Sequence, residues 1–81
     1  MEIKEKIERW KVLAELWFNE GSKIFLKDLN NNWYWANIII VGEDTLLIDC
    51  FAPTERVGHQ KLYWAEITYL DKYKEGSGKN G

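Results

Sequence analysis

Three residues near the middle of the chain carry side chains that could form a nucleophile and its base. Cys50 supplies a thiol, Asp49 precedes it, and His59 is the only histidine. A cysteine nucleophile needs a base within reach and a further group that orients this base, and the sequence offers no such group. Cysteine is among the most buried residue types, so we interpret Cys50 as structural and His59 as a solvated loop residue. The sequence therefore predicts no catalytic residue and no enzyme.

Metal and cofactor sites are not indicated either. One cysteine and one histidine cannot supply a typical four-ligand shell, and the acidic pair Glu43 and Asp44 falls in a predicted turn, where acidic side chains are ordinarily solvated. The sequence contains no glycine-rich phosphate loop. We predict no bound metal and no cofactor.

The segment Trp33-Tyr34-Trp35 has a different kind of chemistry. Successive residues of a strand point to opposite faces, so at least one of these large rings must leave the core. If Tyr34 points inward, Trp33 and Trp35 point outward together. The residues that would then follow Tyr34 inward are Ala36, Ile38 and Ile40. The outward rings are either covered by a helix or another subunit, or they form a stacking platform for unpaired bases.

An amphipathic helix precedes this segment. Apolar residues recur at spacings of four, three, four and three, which lines one helix face. This stripe consists of Ile3, Ile7, Trp10, Ala14 and Trp17, and it is widened by Leu13 and Phe18. Gly21 is the natural left-handed cap. We predict a helix over about residues 2–19.

After Gly21 the periodicity changes to that of strands, rich in aromatic and β-branched residues. The predicted strands are Ile24–Leu29, Trp33–Val41, Leu46–Phe51, Lys61–Trp64 and Ile67–Leu70. The predicted connections are an asparagine turn at 30–32, a turn at 42–45, a loop at 52–60 and a tight turn at 65–66. Five short strands must curl and close to bury their inner face and remove their edges. We therefore predict a mainly β domain with one N-terminal helix and a small five-stranded barrel.

The composition limits the number of domains, the cellular location and the kinds of partner that we expect. A chain of 81 residues with 46% hydrophobic residues accommodates a single domain. We place this domain at residues 1–74, with the barrel at about 22–73, and we expect the polar, glycine-rich segment 75–81 to be a flexible tail. The single cysteine favours a reducing compartment, so we expect a cytoplasmic protein, and no apolar run suggests membrane insertion. The net charge of −2 argues against a broad surface for duplex DNA.

The order of elements resembles that of the Sm-like family of small β-barrels. The residues that carry the resemblance are Ile24–Leu29 with the asparagine turn, Trp33–Val41, Gly42–Asp49 and Leu62–Thr68. The resemblance implies a bent five-stranded barrel, binding of single-stranded RNA, and ring assembly through the last two strands. A tudor-like or other SH3-type barrel fits the same pattern.

The sequence departs from the Sm-like pattern at several positions. Ala36 stands where the family usually has a glycine, and Asp44 and Thr45 stand where its loops carry base-reading residues. The uridine pocket of the family is therefore not predicted. In the final turn, Trp64 and Ala65 replace a basic pair, which leaves Trp64 as the residue that could stack on a base there.

Two hypotheses of different classes follow. The chain is either a non-catalytic, Sm-like module for single-stranded RNA, or a protein-interaction barrel that assembles with itself or with a larger partner. The resemblance favours RNA, whereas the absence of a basic surplus favours protein. The residues predicted to bind the nucleic acid or the partner are Trp33, Trp35, Trp64, Lys23, Lys27 and Lys61.

Overall fold

The computed structural model describes residues 3–51 and 57–73. Its elements are, in chain order, α1 (Ile3–Glu20), β1 (Lys23–Asp28), β2 (Trp33–Val41), β3 (Thr45–Cys50), β4 (Gly58–Tyr63), the 3-10 turn η1 (Trp64–Glu66) and β5 (Ile67–Lys72). The predicted helix and five strands are thus confirmed in type and order. The bounds of β1, β3 and β5 differ from the prediction by one or two residues. The largest difference is at β4, because Gly58, His59 and Gln60 lie in this strand and not in a loop, whereas Trp64 lies in η1 and not in the strand. Residues 52–56 of the predicted loop and the predicted tail at 75–81 lie outside the described residues.

The five strands form one antiparallel sheet in the order β4-β3-β2-β1-β5. The predicted closure into a barrel is wrong, since β4 and β5 are the two edges of the sheet and are joined by η1 without pairing. The inner face is covered instead by α1, which lies against β2, β1 and η1. A packed helix removes the need for closure, because it buries the apolar face that closure would otherwise have to bury.

The helix packs on the sheet of its own chain. Ala14 and Trp17 are buried in the same core as the inward residues of the strands, and Ile7, Trp10 and Leu13 pack against that core. The buried strand and turn residues of this core are Ile24, Leu26, Tyr34, Ala36, Ile38, Leu46, Ile48, Cys50, Leu62, Trp64, Ile67 and Leu70. The helix stripe was therefore predicted correctly at its centre. Phe18, by contrast, is 45% exposed.

The end of α1 is tied to the sheet by a glycine cap and an ion pair. Gly21 has a φ of 79°, and its amide and that of Ser22 donate hydrogen bonds to the carbonyl oxygens of Phe18 and Trp17. Only a residue without a Cβ adopts this conformation at no steric cost. Glu20 then accepts from Lys72 at the end of β5, at 3.1 Å. The ion pair therefore links the end of α1 to β5.

A register shift in β2 turns the side chain of Ile40 away from the core. The pairing of β2 with β3 shifts between Ile38 and Ile40, and Ile40 is 55% exposed. The prediction that Ile40 points inward is therefore wrong. An extra residue in one strand reverses the alternation beyond it, and such a shift leaves no signal in a run of three isoleucines.

Asp28, at the end of β1, organises the asparagine turn. Its carboxylate accepts hydrogen bonds from the amides of Asn30 and Asn32, both at 2.9 Å, from the Asn32 side chain at 3.2 Å, and from the Tyr34 hydroxyl at 2.8 Å. Asn31 has a φ of 66°, which asparagine tolerates. Asp28 is only 7% exposed. Burial alone would raise the pKa of this carboxyl, but the bonds from Asn32, Tyr34 and Asn30 offset that effect, and the pKa lies below its usual range.

We expect Asp28 to make folding stability depend on pH in the acid range. Because the folded-state pKa is lower than the unfolded one, the carboxylate stabilises the fold above the unfolded pKa. This contribution is lost as the pH falls through the folded value. Asp28→Asn should lower stability by about 2 kcal/mol at neutral pH, since the amide nitrogen faces donors.

Thermal unfolding of both proteins from neutral pH downward measures this effect. The difference between them should shrink as the pH falls, because protonation of Asp28 removes the same interaction from the wild type. Glu20 also has a lowered pKa, caused first by the Ser22 hydroxyl and then by Lys72, and it titrates equally in both proteins. A difference that stays constant with pH would contradict the role of the Asp28 carboxylate.

Candidate functional site

Four aromatic rings form a connected cluster on the outer face of the sheet. We call Phe25, Trp33, Trp35 and Tyr69 the aromatic cluster. Phe25 lies 5.8 Å from Trp33, 6.3 Å from Trp35 and 5.7 Å from Tyr69, measured between ring centroids. Trp33 lies 6.1 Å from Trp35 and 6.0 Å from Tyr69. These separations are within the range of favourable aromatic pairs.

The cluster results from strand alternation and register. In β1 the inward residues are Ile24 and Leu26, so Phe25 points outward. Phe25 pairs with Trp35 across β1 and β2, and Lys27 pairs with Trp33 there and with Tyr69 across β1 and β5. Cross-strand partners share a face. The outer face of β2, β1 and β5 is therefore aromatic at its centre.

The rings keep part of their surface in solvent. Trp33 is 39% and Tyr69 is 42% exposed, whereas Phe25 and Trp35 are half-buried. The helix joins the core on the inner face and leaves these two rings accessible. Exposed and contiguous aromatic side chains are typical of interaction sites. The cluster is the candidate functional site of the described residues.

The predicted lysines are distributed unequally around the cluster. The ammonium of Lys27 lies over the Trp33 ring, at 5.4 Å from its centroid, which is a cation–π distance. Lys23, also on β1, lies 6.0 Å from the Phe51 ring centroid. Lys61 is exposed on the edge strand β4, which β3 separates from β2. Lys27 is therefore the lysine that belongs directly to the site.

Tyr69 is held by a neighbouring carboxylate. Its hydroxyl donates a hydrogen bond to Asp71 at 3.2 Å, and this bond raises the pKa of Tyr69 above its ordinary value. Asp71 also accepts from the Lys72 amide at 2.7 Å. The phenol is thereby kept protonated and oriented along the strand.

Trp64 lies in the core and not in the site. It is 2% exposed, and its indole N–H donates to the carbonyl oxygen of Gly42 at 3.0 Å. Its backbone amide donates to the Asp44 carbonyl, also at 3.0 Å. The prediction that Trp64 offers a stacking surface is therefore wrong. The signal against it is Leu62, which is buried two residues earlier and shares the face of Trp64.

The structure separates the residues considered for nucleophilic chemistry. Asp49 and His59 are directly opposite each other on β3 and β4, whereas Cys50 points to the other face and is 4% exposed. Adjacent strand residues cannot share a face, so the thiol and the imidazole do not meet. Among residues 3–51 and 57–73, no three metal-ligating side chains converge. The His59 imidazole is therefore not placed to act as a base for the Cys50 thiol.

The acidic pair borders a shallow groove between α1 and the β2–β3 turn. The groove has a volume of about 260 Å³, and Ile7, Tyr63 and Trp64 form part of its wall. Glu43 is exposed and lies 3.7 Å from the Lys11 ammonium, so it links the turn to the helix. Exposed ion pairs of this kind contribute little energy. The acidic pair is a solvated turn feature, as the sequence predicts.

Sequence reasoning missed Phe25 and Tyr69 as members of the site. The signal for Phe25 was present in the alternation of β1, where two inward aliphatic residues flank it. Tyr69 gave no comparable signal, because the pairing of β5 with β1 shifts its register between Lys27 and Asp28. Such a shift depends on contacts that are distant in sequence.

Comparison of the sequence with protein-family models and with curated proteins gives no match. Within the described part of the chain, no helix has the length and apolar character needed to cross a membrane. The aromatic cluster and its surroundings are therefore the basis for a functional proposal.

Proposed function

We propose that this chain is a non-catalytic binding module that holds unpaired bases of single-stranded RNA on its aromatic cluster. The observation that carries the proposal is the cluster itself, four partly exposed and connected rings, with the Lys27 ammonium over one of them, Trp33. Bases stack on such rings, and each stacked base contributes about 1–3 kcal/mol. The resemblance to Sm-like proteins agrees with this ligand.

The charge of the molecule determines how much of the RNA affinity is electrostatic and how much comes from stacking. The net charge is −2, and among the described residues the lysines on the outer face of β1, β2 and β5 are Lys27 and Lys23. With about two phosphates neutralised, log K should fall with log salt with a slope of about −1.4. Stacking would then supply most of the affinity. This weak dependence on salt distinguishes the site from a basic groove.

Trp33→Ala should weaken binding of a short single-stranded RNA by about tenfold, because it removes a stacking ring and the partner of Lys27. Leu29→Ala is the matched control, since Leu29 is an exposed apolar residue of the adjacent turn outside the cluster. Fluorescence anisotropy of a labelled oligonucleotide at low salt measures both affinities. Thermal unfolding should stay cooperative for both variants, with a lower midpoint for Trp33→Ala, because this substitution removes contacts with the other three rings of the cluster.

Two results would contradict the proposal. The first is that the wild type binds no oligonucleotide at low salt, where the electrostatic contribution is largest. The second is that Trp33→Ala binds as tightly as Leu29→Ala. Lys27→Gln adds a test of charge, since it should flatten the salt slope, whereas Lys4→Gln on the exposed side of α1 should leave it unchanged.

A protein-interaction or assembly role is the second candidate. It is supported by the position of β4 and β5 at the two edges of the sheet, where each leaves one side without a strand partner among the described residues. Unpaired edges can add a strand from another chain. The Sm-like resemblance implies assembly through the same two strands. Solution mass measured by light scattering separates a monomer from a ring.

A further inference from the structure

A row of polar side chains crosses the outer face beside the aromatic cluster. Lys23 is opposite Asn37, Asn37 is opposite Asp49, and Asp49 is opposite His59, so the row spans β1, β2, β3 and β4. Asn37 follows Trp35 by two residues on the same face of β2, a rise of about 7 Å between their backbone positions. A base stacked on Trp35 would therefore have its edge near this row.

Asp49 is the member of the row with an uncommitted charge. Within residues 3–51 and 57–73 its carboxylate takes part in no hydrogen bond and no ion pair, and it is partly exposed. The ammonium of Lys23, at the β1 end of the row, lies 6.0 Å from the centroid of the Phe51 ring. A carboxylate accepts hydrogen bonds only and repels phosphate. Asp49 would consequently face a base edge and not the RNA backbone.

The four bases differ in what they offer to a carboxylate. Guanine has two adjacent donors on its Watson–Crick edge, the N1–H and the N2 amino group, which match the two oxygens of one carboxylate. Adenine and cytosine place an acceptor beside their single amino group, and uracil places its one N–H between two carbonyl groups. Single-stranded RNA is recognised through these edges.

We propose that Asp49 makes the site selective for guanine at the position next to Trp35. This inference rests on the proposed function, because it requires RNA on the aromatic cluster. In this arrangement the Trp35 ring on β2 stacks on the base. The Asp49 carboxylate on the neighbouring strand β3 binds the edge of the same base and determines specificity. A two-point contact of this kind discriminates against the wrong base by about fivefold or more.

Two labelled oligonucleotides test the inference, an oligouridine with one central guanine and the same oligouridine with one central adenine. The wild type should bind the guanine version at least about fivefold more tightly, and Asp49→Asn should reduce this preference to less than about twofold. Asp44→Asn is the matched control, since it removes the same charge from an exposed residue of the β2–β3 turn, at the end of β2 away from Trp33. It should keep the preference for guanine. Thermal midpoints verify that both variants are folded.

The outcomes separate this inference from the function on which it rests. If the wild type binds neither oligonucleotide, the RNA proposal fails, and the inference fails with it. If the wild type binds both equally well, or if Asp49→Asn retains the preference, the RNA proposal stands and the role of Asp49 is refuted. Equal loss of the preference in Asp44→Asn would show that the loss of a charge, and not the position of Asp49, changes base selection, and would also refute it.

Discussion

Replacing Trp64 by alanine is expected to lower the free energy of unfolding by about 3–5 kcal/mol. The ring is 2% exposed and belongs to the core, so its removal leaves a cavity under η1. The substitution also leaves the Gly42 carbonyl oxygen without its indole donor. For a chain of 81 residues, such a loss is a large part of the total stability. Urea unfolding followed by circular dichroism measures it.

Two further variants isolate the cause of this loss. Trp64→Phe keeps most of the ring but removes the indole N–H, and it should cost about 1–2 kcal/mol. Tyr63→Ala changes the preceding residue, which is 60% exposed, and it should cost about 0.5 kcal/mol or less. If Trp64→Ala were as stable as the wild type and instead bound RNA more weakly, Trp64 would be a surface residue and its stacking role would be restored.

Removal of residues 1–19 is expected to unfold or aggregate the protein. This segment contributes Ala14 and Trp17 to the core and covers the inner face of a sheet that is not closed. Without it, the inward residues of β1 and β2 would be exposed, at a cost of roughly 25 cal/mol per Å² of apolar surface. The truncated chain should show no cooperative thermal transition, and light scattering should detect aggregates.

A matched pair of point variants tests the same contact in the intact chain. Trp17 is 8% exposed and Phe18, the next residue of α1, is 45% exposed. Trp17→Ala should therefore cost about 3 kcal/mol or more, and Phe18→Ala about 1 kcal/mol or less. A soluble truncated chain with an unchanged thermal midpoint would contradict the packing of α1 on this sheet. Equal losses for the two variants would contradict it as well.

The elements of the fold were predictable because their signals are local. The apolar residues of the helix recur every three to four residues, and those of a strand every two. Both patterns can therefore be recognised in a short stretch of sequence. The asparagine turn follows from the local preferences of asparagine. The bounds of α1 and β2 accordingly agree closely with prediction. The outward orientation of Trp33 and Trp35 follows from the same alternation.

The environment of the Asp28 carboxylate could be predicted only in part from the neighbouring residues of the sequence. Its position before the asparagine turn is visible in the sequence, and acidic residues there commonly bond to the following amides. The fourth bond, from the Tyr34 hydroxyl, comes from the neighbouring strand. Its burial depends on that pairing, and so does the direction of its pKa shift.

By itself the sequence determined one amphipathic helix, five strands and an aromatic outer face on β2, since each depends on residues close together in the chain. Only the tertiary structure decided that the sheet stays open under a packed helix, that Ile40 turns outward and that Trp64 is buried. It also brought Phe25 of β1 and Tyr69 of β5 together. These outcomes depend on strand pairing and packing between residues far apart in sequence, which local periodicity does not encode.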